Sequence, residues 1–266
     1  MFIKLLKYDL QSMFKNIVPI YIFAIICLVF SLITNLLSNV SLLGNAQSLI
    51  YILYGIINFI LAVAIIAMLI MSFFIGIRRF YQNVLKDEGY LTNTLPVNKS
   101  AIVLAKLSSS ALLMIFSSIF ALIIGMIGSE EIRTGLTSGL SQEIFAGFNG
   151  YMLLAIVAVV GLLQAISYTS IFYNALSIGY SRNGNKNVNS IVTGIIIYFI
   201  TQVVALSILV AFIFYLDGNA AIFAGQDNEM FFVIQLLALA GVINIASILI
   251  NYFITVRMLN KRLNLE

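Results

Sequence analysis

Six long apolar stretches constrain this chain more than any other feature of its sequence. They are Ile17–Leu37, Leu49–Ile77, Ile102–Ile127, Tyr151–Tyr180, Val188–Leu216 and Met230–Val256. Each exceeds the ~20 residues that an α-helix needs to cross about 30 Å of hydrocarbon. We assign the charged residues to the flanks and connections of these stretches, because a charge at the centre of a span costs roughly 2.5–3.5 kcal/mol. The sequence therefore predicts an all-α membrane protein with six transmembrane helices.

The composition favours the same class. Hydrophobic residues make up 62% of the 266 residues and charged residues only 9%, whereas about a quarter of a soluble domain is charged. So little polar surface could not cover a soluble fold of this size. The net charge of +4 fits anchoring at a membrane surface, so we expect membrane lipid and no nucleic acid among the partners. The single cysteine, Cys27, excludes an intrachain disulfide.

The basic residues predict the orientation of the spans. Of the 14 Lys and Arg residues, 13 belong to the N-terminus, the second and fourth connections and the tail. They are Lys4, Lys7, Lys15, Arg78, Arg79, Lys86, Lys99, Lys106, Arg182, Lys186, Arg257, Lys261 and Arg262. The alternate connections hold Arg133 among six acidic residues. Cytoplasmic flanks collect Lys and Arg, so we expect a cell-membrane protein with both termini in the cytoplasm.

The first 16 residues form an amphipathic pattern. Polar residues repeat on one helical face and apolar residues on the other: Lys4, Lys7, Gln11 and Lys15 against Phe2, Ile3, Leu6, Leu10, Met13 and Phe14. Such a helix lies flat at the headgroup level, and Pro19 would allow a turn into the first span. We predict an elbow helix over residues 1–16 and a six-span domain over 17–266. A basic anchor that only sets the topology is the alternative.

Two connections on the acidic side carry weaker patterns. Between Gly128 and Gly150, apolar residues recur every four positions after a candidate N-cap, Ser129. We expect an external amphipathic helix there, weakened by Gly135 and Gly139. The fifth connection, Asp217–Glu229, is a candidate for a segment that dips back into the membrane around Ala220–Ala224.

Uncharged amide side chains lie inside the predicted spans, among them Asn58, Gln164, Asn174, Gln202, Gln235, Asn244 and Asn251. Any one of them can join two helices by a hydrogen bond, and that is the simpler interpretation. If several faced one cavity, they would form a weakly polar surface suited to amphipathic cargo. Our candidates for lining such a pathway are Asn58, Gln164, Asn174, Gln202 and Asn244.

The sequence favours a non-catalytic membrane subunit. With the charges assigned outside the spans, serines such as Ser117 and Ser118 have no acid or base partner at membrane depth. In the segment Gly179–Lys186 the lysine is not at the position that a phosphate-binding loop requires, so we predict a turn between spans there. We expect no catalytic, cofactor-binding or metal site in this chain. Energy for uphill transport would have to come from a partner.

The second connection is the longest and most charged segment on the basic side. Within residues 79–99, apolar side chains stand beside charged ones in a loop where a solvated linker would have no use for them. We predict that this segment docks a soluble partner. The candidate docking residues are Lys86, Asp87, Glu88, Gly89, Tyr90, Leu91, Leu95 and Pro96. A basic loop that only sets the topology is the alternative.

This architecture and the string FYQNVLKDEGYLTNTLPV resemble type-2 ATP-binding-cassette (ABC) transporter permeases of Gram-positive bacteria. At residue level the resemblance is specific in Phe80–Lys99, above all from Asp87 to Val97. It implies that this segment contains a coupling helix that seats in a groove of an ATPase subunit. The implied contacts are Asp87, Glu88, Gly89, Tyr90, Leu91 and Leu95. The family commonly has re-entrant helices before the last span, and this chain has only a short connection there.

The resemblance implies the transmembrane permease subunit of an ABC exporter. Its cargo would be amphipathic: an antimicrobial peptide, a drug or a lipid. Two copies of a separate ATPase subunit would bind ATP and Mg, and a second permease subunit, identical or homologous, would complete the pathway. The alternatives are a non-transporting scaffold or sensor subunit that recruits cytosolic partners and, less favoured, a passive channel.

Overall fold

The computed structural model describes residues 2–38, 47–86, 88–89, 98–139, 143–145, 148–182, 184–218 and 228–261. Six long helices dominate this part of the chain: α1 (Phe2–Ser38), α2 (Gln47–Phe80), α3 (Lys99–Gly128), α5 (Gly150–Gly179), α6 (Lys186–Gly218) and α7 (Asn228–Lys261). All six are long and apolar enough to cross a membrane. The predicted number of spans is therefore confirmed, and the structure fits a multi-pass membrane protein.

The segment between α3 and α5 differs from the predicted amphipathic helix. A short helix, α4 (Glu130–Thr134), passes into a π-helical turn, Gly135–Gly139. Two short antiparallel strands follow, β1 (Glu143–Phe145) and β2 (Phe148–Asn149). The predicted cap is confirmed, since the backbone N–H of Ile132 donates to the hydroxyl of Ser129 at 3.4 Å. The α-helix ends just before the first of the two glycines that weaken helical propensity.

Helix α1 runs without a break through Pro19, so the turn expected between an elbow helix and the first span is absent. Proline removes a backbone donor, but packing against neighbouring helices lets transmembrane helices tolerate it. The predicted sidedness of the first turns is present in part: the lysine face is exposed, and Met13 and Ile17 are buried against Ile75 and Leu113. Ile3, which was predicted on the apolar face, is exposed. Residues 2–16 therefore extend the first span as one helix.

The long helices form two three-helix halves. Helices α1, α2 and α3 pack against one another, while α6 and α7 pack chiefly on α5. The halves meet in a buried apolar group near the basic ends of the helices, which we call the junction cluster. Its members are Phe80, Val84, Leu85, Ile102, Val103, Leu107, Tyr173, Tyr180 and Leu259.

The outer faces of the two halves are apolar. Large hydrophobic side chains are exposed along all six long helices, as expected where lipid replaces water. Away from the junction cluster, α2, α3 and α5 border a cleft of about 490 Å³. The halves are therefore joined at the basic end and separated further along the helices.

Candidate functional site

A buried ion cluster joins α1, α2 and α3 beside the junction cluster. The carboxylate of Asp9 accepts hydrogen bonds from the Lys106 ammonium at 2.5 Å and from Arg79 Nε at 3.4 Å. Asp9 is 5% exposed and Lys106 is 4% exposed. Charges this deeply buried are tolerated when they are paired and hydrogen-bonded. The cluster therefore holds the three N-terminal helices in one arrangement.

This cluster corrects our prediction that the charged residues lie outside the spans. Lys106 was placed in the second connection, but it lies inside α3 and inside the predicted span Ile102–Ile127. It is tolerated there because it lies near the basic end of the helix and because α1 supplies a counter-ion. Asp9 was given no role from the sequence. The sequence did contain a signal for this ion pair, because Asp9 is a single acid in a lysine-bearing helix and Lys106 is a single lysine in an apolar run.

Tyr173 of α5 joins the C-terminal half to the N-terminal half. Its ring stacks on Phe80 of α2, with centroids 4.0 Å apart and planes 11° from parallel. Its hydroxyl lies 2.8 Å from Ser110 Oγ of α3 and donates to the Gly76 carbonyl of α2 at 3.1 Å. A fully buried tyrosine hydroxyl needs such partners. One side chain thus holds α2, α3 and α5 together.

Two further tyrosines of the C-terminal half form hydrogen bonds with the two flanks of the second connection. Before the connection, the hydroxyl of Tyr180, just after α5, donates to the Tyr81 hydroxyl at 3.0 Å. After it, the Tyr252 hydroxyl of α7 donates to the Ser100 carbonyl at 3.2 Å. The flanks also belong to α2 and α3, which contact α1. A displacement of the second connection would therefore act on both halves.

The structure describes part of the predicted docking segment. Lys86 and Glu88 are exposed, and Gly89 is buried. The Gly89 N–H donates to the Lys86 carbonyl at 2.8 Å, which closes a turn just after the π-helical extension of α2 (Tyr81–Leu85). The remaining predicted docking residues, Asp87, Tyr90, Leu91, Leu95 and Pro96, lie outside the described residues.

Three of the five candidate pathway residues come together in the C-terminal half. Gln164 of α5, Gln202 of α6 and Asn244 of α7 line one cavity of about 220 Å³. Hydroxyl groups share its wall, among them those of Ser167 and Ser247. We call this space the amide cavity. Its role as a pathway stays a prediction.

The other two candidates join helices instead. The Asn58 amide oxygen of α2 accepts a hydrogen bond from Ser31 Oγ of α1 at 2.9 Å. The Asn174 amide of α5 donates to the Asn251 amide oxygen of α7 at 2.7 Å. Both contacts match the simpler interpretation of such side chains as links between helices.

An apolar groove of about 630 Å³ lies between the two halves, bordered by α2, α5 and α6. Its wall includes Phe73, Ile77, Phe172, Ile195 and Phe199. Tyr168 of α5 borders both this groove and the amide cavity. Apolar and weakly polar surfaces therefore lie on two sides of one helix, an arrangement that suits an amphipathic molecule.

No protein-family model, curated protein or solved structure matches this chain. Among the residues with described positions, no group of three or more His, Cys, Asp or Glu side chains could hold a metal ion.

Proposed function

We propose that this chain is the transmembrane permease subunit of an ABC exporter at the cell membrane, with both termini in the cytoplasm. The observation that carries the proposal is the hydrogen bonding of both flanks of the second connection to the C-terminal half. Its flanks are hydrogen-bonded through Tyr81 to Tyr180, just after α5, and through Ser100 to Tyr252 of α7, and they continue into α2 and α3. A soluble partner that moved the string between these flanks, the string that resembles a coupling helix, would therefore act on both halves.

The proposed energy source is ATP hydrolysis in a separate subunit. Two ATPase copies, each binding ATP and Mg, would dock on the second connections of two permease subunits. Their closure would push each connection, and the junction cluster would pass the displacement to α5 and α7 as a rigid-body movement. A second six-span subunit, identical or homologous, would supply the other half of the pathway.

The proposed cargo is amphipathic: an antimicrobial peptide, a drug or a lipid. The amide cavity and the apolar groove support this class, because one offers uncharged hydrogen-bonding groups and the other offers apolar surface. A strongly charged cargo finds no counter-charge among the residues that line either space. The chemistry of the walls therefore favours molecules with a neutral polar part and an apolar part.

The test is copurification under a tag on this chain, followed by mass spectrometry and an assay of ATP hydrolysis. We expect an ATPase subunit to copurify, and hydrolysis to belong to the complex and not to the chain alone. Recovery of cytosolic proteins without an ATPase would favour the scaffold or sensor alternative. Ion or solute conductance by the purified chain without ATP would favour a passive channel.

A further inference from the structure

The wall of the amide cavity combines apolar side chains with polar, uncharged ones. Its wall carries the amides of Gln164, Gln202 and Asn244, and hydroxyl groups from each of the three helices that enclose it. None of the residues that line it is ionisable except Tyr168. A ligand held here would therefore exchange hydrogen bonds and would find no opposite charge.

The three amides lie close to the middle of their helices. Gln164, Gln202 and Asn244 stand about halfway along α5, α6 and α7 respectively. Each of these helices is long enough to span a membrane, so a bilayer crossed by all three would place the cavity near the centre of its hydrocarbon layer. A polar side chain at that depth is costly unless it is hydrogen-bonded to another helix or to a ligand.

One donor in the cavity wall is unsatisfied. The Asn244 side chain is 4% exposed, and its Nδ2 has no hydrogen-bond partner among the described residues. Neighbouring groups are bonded: Ser167 Oγ donates to Ser247 Oγ at 3.0 Å, and the Asn251 amide donates to the Ser247 carbonyl at 2.8 Å. A buried donor left without a partner costs about 1–3 kcal/mol. A bound acceptor group would remove that cost.

We propose that the amide cavity binds the neutral, amide-bearing part of an amphipathic ligand, with Asn244 as a hydrogen-bond donor to its carbonyl oxygen. The Gln164 and Gln202 side chains can donate and accept at once, which suits an amide group better than an apolar one. As a binding site the cavity is independent of the partner ATPase. As the place where cargo is held, it rests on the proposed function.

The test uses indole probes with the purified chain in phosphatidylcholine vesicles. The chain contains no Trp, so indole fluorescence reports only the probe. N-acetyl-tryptophanamide is neutral and carries amides, 3-methylindole lacks them, and tryptamine is a cation. We expect saturable binding of N-acetyl-tryptophanamide above the background of empty vesicles. Neither of the other two probes should displace it at equal concentration.

Substitutions in the cavity wall test whether the probe binds there. Asn244→Leu and Gln202→Leu should each weaken binding of N-acetyl-tryptophanamide roughly two- to tenfold, the loss of about one hydrogen bond. Gln235→Leu is the matched control, because it removes an amide from the same helix as Asn244 but outside the cavity wall. It should leave the affinity unchanged. Thermal unfolding of each variant reports whether it is still folded.

Two results would contradict the proposal that the amide cavity is a binding site. One is the absence of saturable N-acetyl-tryptophanamide binding to the wild-type chain, a comparison that needs no variant. The other is equal displacement by 3-methylindole, which would make the cavity an apolar space whose amides only join helices. Either result leaves the copurification test of the ATPase partner intact. Conversely, a missing ATPase would remove the export role without affecting the binding measured here.

Discussion

At the scale of single residues, Asp9 has the largest predicted effect. Its carboxylate is the counter-ion for the buried ammonium of Lys106. Asp9→Asn would leave that ammonium buried beside Arg79 without an opposite charge. Breaking a buried pair in this way costs about 3–5 kcal/mol, so we expect a large loss of stability in unfolding by a denaturing detergent.

The control for this prediction is Lys4→Gln, which removes an exposed charge from the same helix and should change stability by about 0.5 kcal/mol or less. Combining Asp9→Asn with Lys106→Met should recover much of the loss, because the unpaired charge is then gone. If Asp9→Asn proves as mild as Lys4→Gln, the ion cluster does not hold the N-terminal half together.

The sequence predicted which side chains lie inside the spans better than it predicted what those side chains contact. It identified the amides inside the spans, but not that Gln164, Gln202 and Asn244 share a cavity while Asn58 and Asn174 join helices. Hydropathy shows that a residue lies in a span, whereas the packing of one span on another decides what its side chain meets. The same limit hid the pairing of Asp9 with Lys106, which lie on different helices.

At the scale of elements, the close approach of α5 and α6 depends on Gly179. A Cβ built on Gly179 would overlap the Ser190 hydroxyl and would lie 2.5 Å from the Ser190 backbone. Gly179→Ala should therefore force the two helices apart and destabilise the protein by about 1–3 kcal/mol, as overpacking does. The unfolding midpoint measures the effect.

Gly161 offers a matched control in the same helix, because a Cβ there meets nothing within 4 Å. Gly161→Ala should stabilise α5 by up to about 1 kcal/mol through helical propensity. Equal effects of the two substitutions would contradict the predicted close contact.

The six long helices were predictable because crossing hydrocarbon demands length and apolar composition, both of which are visible in the sequence. The elements between them were less predictable. Pro19 did not end a helix, because a proline inside a packed span can be accommodated by its neighbours. In the described part of the segment after Ser129, one short α-helix takes the place of the predicted longer one, since a four-residue repeat interrupted by glycines is a weak helical signal. The predicted re-entrant segment, around Ala220–Ala224, lies outside the described residues.

At the scale of the whole molecule, the distribution of basic residues predicts which side faces the cytoplasm. Single cysteines in a Cys27→Ala background can test it with an impermeant thiol reagent. Replacements at Gln142 and Asn219 should react in intact cells, whereas those at Asn93 and Asn185 should react only after permeabilisation. Labelling of position 93 from outside would reverse the orientation and remove the second connection from the reach of a cytosolic ATPase.

The central claim is that the second connection transmits the action of an ATPase to both halves of the protein. Its predicted apolar anchors are Tyr90, Leu91 and Leu95, within a rim that includes Lys86 and Glu88. Buried apolar anchors usually carry most of the binding energy of an interface. A charge placed at the anchor should therefore disrupt docking more than a change elsewhere.

The most direct measurement is a pull-down of the ATPase subunit by membrane-inserted Leu91→Asp, followed by cargo-stimulated ATP hydrolysis. Leu140→Asp, the same substitution in the third connection, is the control. We predict that Leu91→Asp loses the ATPase subunit or its stimulation by cargo, because an unpaired carboxylate would be buried in the interface. The control should keep both. Full assembly and full stimulation of Leu91→Asp would contradict the account.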